Sequence, residues 1–320
     1  MSFLLISWTG FFANGVIPMA KYRIMTFDGG GIRGALTATL LKRLNALFPG
    51  LLKNVDLFAG TSTGSFIALG LAYGKTPEEL VELYSKQKAR FIFRPQHINL
   101  ARPRYDNKHL MAVLNSVFPP RLRLRDLNRN VLVPSFEVIG PNSGNWGPTF
   151  YNNFPNSPTL DEYVVEVALA SSAAPTYFPS YRNHIDGGVI ANNPSTAAIA
   201  IAKDEKAGHQ DLDDIFLLSI GTGFSPSKIT ANTGDWGVLQ WALNPSPPPE
   251  LPLLSILGEG VVEADTYFSS QLLGGRYFRL NPTLPEPISL DAYKQIPNLV
   301  SLAESFNLGQ VTDWLTKNWF

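Results

Sequence analysis

Blocks of strand-like and helix-like apolar sequence alternate near the start of this 320-residue chain. Tyr22 to Phe27 is a short apolar run that predicts a strand, and a glycine-rich turn follows it. Leucines then recur at helical spacing from Leu36 to Leu47, which predicts a helix. The order repeats at once, with a predicted strand over Val55 to Ala59 and a predicted helix over Ser65 to Tyr73. This order favours an α/β fold with a mainly parallel sheet between helices.

Helix caps and later apolar runs predict further elements. Thr76-Pro77-Glu78-Glu79 is a capping box with proline at the first helical position, so a helix is predicted to run on towards Arg90. A second box, Thr159-Leu160-Asp161-Glu162, predicts a helix that ends before Pro175. The remaining predictions are strands over Asn130 to Ile139 and Asp214 to Ile220, and helices over Ala197 to Ala202, over Leu253 to Leu273 and near the C-terminus.

The least regular stretch runs from Ser225 to Pro252. Its prolines cannot occupy a helix interior or a central strand, and they are Pro245, Pro247, Pro248, Pro249 and Pro252. We interpret the stretch, about residues 225–252, as a loop or lid inserted in a single domain that covers residues 21–320. Single α/β domains often reach this length.

The first 20 residues carry no charged side chain and are interpreted as an apolar extension outside that domain. A start of translation at Met19 is the preferred explanation, because Met19 leads straight into the first predicted strand. An interfacial anchor ranks second, since the run is interrupted by Pro18 and is shorter than the ~20 residues that span a bilayer. A cleaved signal ranks third, because there is no basic start and no clean cleavage site precedes Lys21.

Composition and charge narrow the choice of partners. Apolar residues make up 45% of the chain and charged residues only 16%, which suits an enzyme that works at an oily interface. Lys plus Arg and Asp plus Glu both count 26 and form no basic stripe, so no nucleic-acid partner is expected. The absence of cysteine excludes disulfides, thiolate metal sites and a cysteine nucleophile, and it fits a reducing, cytoplasmic compartment. The sequence does not indicate an oligomeric state.

A serine between the second predicted strand and its helix is the first candidate for chemistry. Gly60-Thr61-Ser62-Thr63-Gly64 matches G-x-S-x-G, a turn that exposes a nucleophilic serine at a sheet edge. The match alone is weakly specific, but the strand before it and the helix after it are the context that the motif requires. The helix N-terminus also favours developing negative charge. Ser62 is therefore predicted to be a nucleophile, with Gly60 and Gly64 shaping its turn.

The glycine-rich turn after the first predicted strand has two interpretations. The amides of Gly29, Gly30 and Gly31 can act as oxyanion donors, because no side chain stands in the way. The same stretch matches G-x-G-x-x-G through Gly29, Gly31 and Gly34, which leaves a nucleotide-binding enzyme as an alternative. The acid expected about 20 positions further on is missing, and Asp28 would face a pyrophosphate unfavourably. Oxyanion binding is therefore the preferred interpretation.

A nucleophilic serine also needs a base. No sequence context singles out any of the four histidines, which are His97, His109, His184 and His209. Asp186-Gly187-Gly188 lies between an apolar-aromatic run and a helix start, so its carboxylate can approach another loop closely. A plain Asp-Gly turn is the alternative. Asp186 is nevertheless the better candidate for a general base.

Four blocks of the chain, in this order, resemble the patatin-like phospholipase family. They are Asp28-Gly29-Gly30-Gly31-Ile32-Arg33-Gly34, Gly60-Thr61-Ser62-Thr63-Gly64, Ala170-Ser171-Ser172-Ala173-Ala174-Pro175 with Tyr177-Phe178-Pro179, and Asp186-Gly187-Gly188 with Asn192-Asn193-Pro194. Together these blocks are far more specific than any one of them. The resemblance is weaker before Lys21 and after about Gly223.

The resemblance implies a three-layer α/β/α fold and a lipid acyl hydrolase of the phospholipase A or esterase type. It implies a catalytic dyad of Ser62 and Asp186, which works through an acyl-enzyme intermediate, and an oxyanion hole from Gly29 to Gly31. It also implies a lipid substrate, no metal and no nucleotide cofactor. Acyl transfer on the same scaffold and catalytically silent lipid binding remain as alternatives.

The same resemblance assigns supporting roles to nearby residues. Gly187 and Gly188 would shape the loop of the base. Arg33 would be a structural or anion-facing residue of the first glycine turn, and a surface arginine at a helix start is the alternative.

Aromatic residues suggest where a lipid could be held. They are Phe91, Phe93, Trp146, Phe150, Tyr151 and Phe154, and part of them lie in loop-like surroundings. Most are expected to pack in the core or in loops. Several of them around the mouth of the site would hold an acyl chain or make transient contact with a membrane surface.

Overall fold

The computed structural model describes residues 21–97, 101–139, 144–226, 228–243 and 251–320. Residues 1–20, with the alternatives of a later start, an anchor and a signal, lie outside the described residues. So do Pro245, Pro247, Pro248 and Pro249 of the proline-rich stretch.

One mixed sheet forms the centre of the molecule. Its strands are β1 (Tyr22–Phe27), β2 (Leu57–Gly60), β3 (Asn130–Glu137), β4 (Gly147–Asn152), β5 (His184–Asp186), β6 (Ile215–Ile220) and β7 (Tyr277–Leu280). The order is β4-β3-β2-β1-β6-β7, and β5 also pairs with β3. The β3–β2–β1–β6–β7 pairings are parallel, whereas β4 and β5 run antiparallel to β3. The prediction of a mainly parallel sheet is therefore confirmed.

Helices cover both faces of this sheet. They are α1 (Gly34–Leu47), α2 (Thr63–Tyr73), α3 (Pro77–Leu83), α4 (Lys86–Ile92), α5 (Asn107–Asn115), α6 (Val164–Ser171), α7 (Gly188–Ala191), α8 (Ser195–Lys203), α9 (Val238–Ala242), α10 (Pro252–Leu273), α11 (Ile296–Ser305) and α12 (Gly309–Asn318). Successive side chains of a strand point to opposite faces. Ile24 of β1 accordingly packs in the core that contains α8, whereas Met25 packs in the larger core that contains α1, α2 and α6. This arrangement is the predicted three-layer α/β/α fold.

The sheet order brings distant loops to one edge. Phe27 is in register with Gly60 on one side and with Ile220 on the other, so β1, β2 and β6 end at the same level. In an α/β sheet the carboxyl ends of parallel strands are the usual place for a binding site. The two glycine-rich turns of the sequence meet at this edge.

The single helix predicted from Thr76 to Arg90 is wrong, because two helices occupy that stretch. Thr76 forms the predicted capping box with Glu79, but α3 ends at Leu83. Ser85 then adopts an extended conformation and its hydroxyl caps α4. The hydroxyl of Tyr84 donates to the carbonyl oxygen of Thr63 at 2.6 Å, which fixes the break against the start of α2.

The predicted capping box at Thr159 is also wrong. Its hydroxyl accepts a hydrogen bond from the Asn152 amide and donates one to the Asn152 carbonyl, so it binds the end of β4 instead. The helix α6 begins only at Val164 and ends, as predicted, before Pro175.

Several described elements were not predicted from the sequence, among them α5, β4, β5, β7 and α9. The strand β4 contains Pro148, which an edge strand tolerates because one side of it makes no sheet hydrogen bonds. The strand β7 has four residues, too few for a clear pattern. The helix α9 lies within the stretch interpreted as a loop. None of the described helices combines the length and the apolar character needed to cross a bilayer.

Candidate active site

The turn between β2 and α2 holds Ser62 in a strained backbone conformation. Its φ and ψ are 52° and −122°, a combination that a non-glycine residue rarely adopts. A Cβ atom on Gly60 would lie 2.1 Å from the Gly64 carbonyl oxygen, and one on Gly64 would lie 2.2 Å from that of Phe27. Only glycine fits at these two positions. The turn therefore has the geometry of a nucleophile elbow.

A second serine anchors this turn from behind. The Ser62 amide donates to the Ser171 hydroxyl at 2.9 Å, and that hydroxyl donates to the Pro134 carbonyl at 2.6 Å. Ser171 is fully buried at the end of α6. The sequence pattern contains Ser171 within a family-like block but assigns it no role.

The structure brings Ser62 and Asp186 together although they are 124 residues apart. The Ser62 hydroxyl donates to Asp186 Oδ2 at 2.7 Å. The other carboxylate oxygen, Oδ1, accepts the Gly188 amide at 2.7 Å. The strand β5 pairs with β3 and sets Asp186 opposite Ser135, and this pairing fixes the position of Asp186 in the sheet. A Cβ on Gly187 would lie 2.2 Å from the Pro134 carbonyl oxygen, so this loop also needs its glycine.

Burial changes the acidity of Asp186. The side chain is 7% exposed, and loss of hydration raises its pKa from 3.8 to about 6, against the opposing hydrogen bonds from Ser62 and Gly188. At neutral pH the carboxylate is still mostly ionised. The raised pKa makes it a stronger base than a solvated aspartate. A stronger base is better able to take a proton from a hydroxyl.

The first glycine turn lies beside this pair. A Cβ on Gly29 would lie 3.2 Å from Ser62 Cβ. The Gly29 amide, however, donates to the Asn192 carbonyl at 3.0 Å, and its own carbonyl accepts the Thr222 hydroxyl at 2.8 Å. No hydrogen bond to another described residue uses the amides of Gly30 or Gly31. Of the three predicted oxyanion donors, Gly29 is therefore occupied within the protein.

Two charged residues of the same turn point inwards. Asp28 is 2% exposed and forms a two-pronged ion pair with Arg279 of β7, with one arm at 2.7 Å. Burial lowers the pKa of Arg279, but the Asp28 carboxylate outweighs it and the pKa rises. Arg33 is buried and its Nε donates to the Gly30 carbonyl at 3.4 Å. The alternative of a surface arginine at position 33 is thus wrong, because the side chain folds back under the glycine turn.

Histidines contribute nothing to the Ser62–Asp186 pair within the described residues. His184 lies on the same strand as Asp186, but its ring nitrogens contact the Tyr151 hydroxyl and the Arg182 carbonyl. His109 packs against Phe91. No hydrogen bond joins a histidine to Ser62 or Asp186 in the described part of the chain.

A mainly apolar cavity opens beside Ser62. Ser62 and Gly31 line it together with apolar side chains from several helices and a loop, among them Phe66, Leu83, Ala89, Ile92, Phe93, Leu110, Val113, Leu114, Phe178 and Ile296. Of the six aromatic residues considered as lipid contacts, only Phe93 lines this cavity. Tyr151 and Phe154 are buried in the core, whereas Phe91, Trp146 and Phe150 are exposed elsewhere.

The fold and this geometry define a three-layer α/β/α protein with a serine–aspartate pair at the carboxyl edge of its sheet. A family model described as patatin-like phospholipase matches residues 25–199, more than half of the chain. The chain belongs to the patatin-like phospholipase family.

Curated relatives agree with this family over most of the chain. The protein Teg of Priestia megaterium is 38% identical over 94% of this chain and 100% of its own length. CotR of Bacillus subtilis is 38% identical over 94% of this chain and 99% of its own length. The cGAMP-activated phospholipase of Vibrio cholerae is 32% identical over 68% of this chain and 70% of its own length. Membership of the family identifies the chain, at the level of class, as a hydrolase of lipid esters.

Proposed function

We propose that the protein is a lipid acyl hydrolase in which Ser62 attacks the acyl carbonyl and Asp186 acts directly as the base. The hydrogen bond of 2.7 Å from the Ser62 hydroxyl to Asp186 is the observation that carries the proposal. Nucleophile and base must lie within hydrogen-bonding distance for proton transfer. The raised pKa of Asp186 supports the same role.

The chemistry follows in two halves. Ser62 Oγ bonds to the acyl carbon while its proton moves to Asp186 Oδ2. The tetrahedral oxyanion is stabilised by the amides of Gly30 and Gly31, which donate to no other described residue. Asp186 then returns the proton to the departing alcohol. In the second half, water gives a proton to Asp186 and its oxygen bonds to the acyl carbon. The bond from that carbon to Ser62 Oγ then breaks, Asp186 returns the proton to Oγ, and the fatty acid is released.

The apolar cavity is proposed to hold the acyl chain. Ser62 and Gly31 line it, so a chain bound there has its carbonyl next to the nucleophile and to an oxyanion donor. Its other lining side chains are overwhelmingly hydrocarbon, which suits an alkyl chain and no charged group. We therefore propose ester substrates with a long acyl chain, such as phospholipids, galactolipids or glycerides.

A fluorophosphonate probe followed by peptide mass spectrometry tests the nucleophile. We expect one modified residue, Ser62, and no labelling of the Ser62→Ala variant. Labelling of a different serine would overturn the proposal.

Turnover of a nitrophenyl ester tests the base. Ser62→Ala and Asp186→Asn are each expected to abolish it, whereas His184→Ala and His209→Ala retain it. Loss of activity in a histidine variant that still folds would indicate a catalytic triad that includes this histidine, in place of the dyad. A lipid panel with products identified by mass spectrometry then separates hydrolysis from acyl transfer, since transfer leaves a new ester in place of free fatty acid.

A further inference from the structure

The helix α10 exposes a row of large apolar side chains to solvent. Its solvent-facing side carries apolar residues at helical spacing, namely Leu253, Ile256, Leu257, Tyr267, Phe268 and Leu272, with exposed fractions from 43% to 61%. Gly260 and Ala264 continue this side, on which Glu263 and Gln271 are also exposed. A surface helix of a globular protein normally turns such a stripe towards the core.

The inner side of α10 combines buried apolar residues, Pro252 and Leu273, with small polar ones. Thr266 accepts a hydrogen bond from the Asn193 side chain at 3.2 Å, and the Ser269 and Thr196 hydroxyls lie 3.2 Å apart. Ser269 is fully buried. The inner side of the helix is thus fixed against the fold by specific bonds, and the helix cannot simply rotate to bury its exposed leucines.

The neighbouring helix α9 extends the same apolar surface. Val238 and Leu239 are 83% and 79% exposed, the highest values among the large apolar residues that the structure describes. The two helices pack against each other. At a rise of about 1.5 Å per residue, α10 alone gives this surface a length of about 33 Å. We call α9 and the solvent-facing side of α10 the outer apolar surface.

The outer apolar surface is connected to the proposed site. The Gly258 carbonyl of α10 accepts a hydrogen bond from the Asn192 side chain at 3.4 Å. The Asn192 carbonyl in turn accepts the Gly29 amide at 3.0 Å. One residue therefore joins the middle of α10 to the glycine turn beside Ser62.

Charge restricts what can cover this surface. Of the charged residues of α9 and α10, Glu263 is exposed, whereas Glu259 and Asp265 are only partly exposed, and neither helix contains lysine or arginine. A surface of this kind gains nothing from an anionic lipid and is repelled by it. Apolar burial into an uncharged interface remains as the source of affinity.

We propose that the outer apolar surface docks on a zwitterionic lipid bilayer and holds the Ser62 site against it. The choice of occupant rests on the proposed function, because phospholipid and galactolipid substrates lie in a bilayer. The docking residues themselves are independent of catalysis. Binding is expected to need no anionic lipid and to persist at high salt.

Co-sedimentation with phosphatidylcholine vesicles tests the proposal, with Ser62→Ala as the parent so that no lipid is consumed. The parent is expected to bind equally at about 0.1 M and about 1 M salt, between which the Debye length falls from about 10 Å to about 3 Å. It is expected to bind more weakly when phosphatidylserine is added. Combining Ile256→Ser, Leu257→Ser and Phe268→Ser is expected to lower the partition coefficient at least about 10-fold, since each change removes apolar area from the interface.

A matched triple variant controls for the loss of exposed apolar area in general. Leu47→Ser, Ile139→Ser and Trp146→Ser remove side chains that are 57% to 74% exposed and lie on other elements. This control is expected to bind vesicles like the parent. Loss of binding in the control, or unchanged binding in the α10 triple, would overturn the proposal and, in the first case, favour contact through Trp146.

Two further readouts separate the outcomes. With Ser62 restored, the α10 triple is expected to keep its kcat on a water-soluble nitrophenyl ester, which shows that it folds, and to lose activity on vesicles.

Sedimentation velocity of the parent tests a second copy of the chain as occupant. A dimer that the α10 triple dissociates, without vesicle binding by the parent, would overturn bilayer docking and assign the surface to self-association. If the protein binds vesicles but cleaves no ester, the proposed function is overturned and the proposed docking surface is retained.

Discussion

Replacing Asp186 by asparagine is expected to make the protein inactive and more stable at the same time. The oxygen of the new amide would preserve the bond from the Gly188 amide, and its NH₂ group would donate to Ser62 Oγ, so both contacts of the carboxylate survive. The change removes a buried charge without opening a cavity. It also removes the carboxylate that accepts the Ser62 hydroxyl and is placed to take its proton.

The magnitude follows from the pKa of Asp186. Burial raises it from 3.8 to about 6, so the folded protein binds this proton more tightly than the unfolded chain does. Stability from this group is therefore complete below about pH 4 and is lost as the pH rises through about 6. At about 1.4 kcal/mol per pKa unit, the ionised carboxylate lowers the free energy of unfolding by about 3 kcal/mol at about pH 8.

Urea unfolding at about pH 8 and about pH 4 measures the effect. The Asp186→Asn variant is expected to exceed the wild type by up to about 3 kcal/mol at the higher pH and to match it at the lower one. Its kcat on a nitrophenyl ester is expected to fall at least about 10²-fold, the usual contribution of a general base. The wild-type kcat/KM should rise with pH through about 6, because only the ionised carboxylate can accept the proton.

Asp265→Asn is the matched control. Burial also raises the pKa of Asp265 to about 6, but its side chain interacts with Thr196 and not with Ser62. This variant is expected to show a pH-dependent gain in stability of the same sign with its esterase activity intact. A wild type more stable than Asp186→Asn at about pH 8, or a difference that does not change with pH, would refute the reasoning.

Three further predictions concern other parts of the molecule. Arg279→Met leaves the buried Asp28 carboxylate unpaired and is expected to lower the free energy of unfolding by about 3–5 kcal/mol, measured by urea titration; adding Asp28→Asn should restore most of it. Gly31→Ala places a Cβ 2.3 Å from the Leu290 carbonyl at a φ of +57°, so the turn must shift and kcat is expected to fall at least about 10²-fold in the ester assay. Ala89→Phe fills part of the cavity and is expected to lower kcat/KM for a palmitoyl ester about 10- to 100-fold relative to a butyryl ester. Equal losses of kcat/KM on both esters would show that the cavity does not bind the acyl chain.

Local patterns in the sequence were sufficient for most of the fold. The strand β1 has the predicted bounds, and α10 begins one residue before its predicted start. Both depend on periodicity within one segment, which a single sequence displays directly. The break between α3 and α4 was missed because its cause lies outside the segment, in the contact of Tyr84 with Thr63. A capping serine at position 85 was the available signal.

The site shows the same division. Ser62 and Asp186 could be nominated, because the turns that carry them have unusual glycine patterns. Ser171 and Arg279 could not, because each acts through a partner more than 100 residues away and neither has a local pattern of its own. The engagement of the Gly29 amide by Asn192 likewise depends on tertiary contact alone.

The position of β1 in the sheet affects how the chain folds during its synthesis on the ribosome. One neighbour of β1, the strand β2, follows within 40 residues, but the other neighbour, β6, is synthesised only after residue 214. Arg279, which neutralises Asp28, is synthesised later still. A nascent chain that already carries Ser62 and Asp186 therefore still has an open edge on β1 and an unneutralised acid under its glycine turn. We therefore expect the glycine turn to reach its native arrangement only after Arg279 has been added, when nearly nine-tenths of the chain has been synthesised.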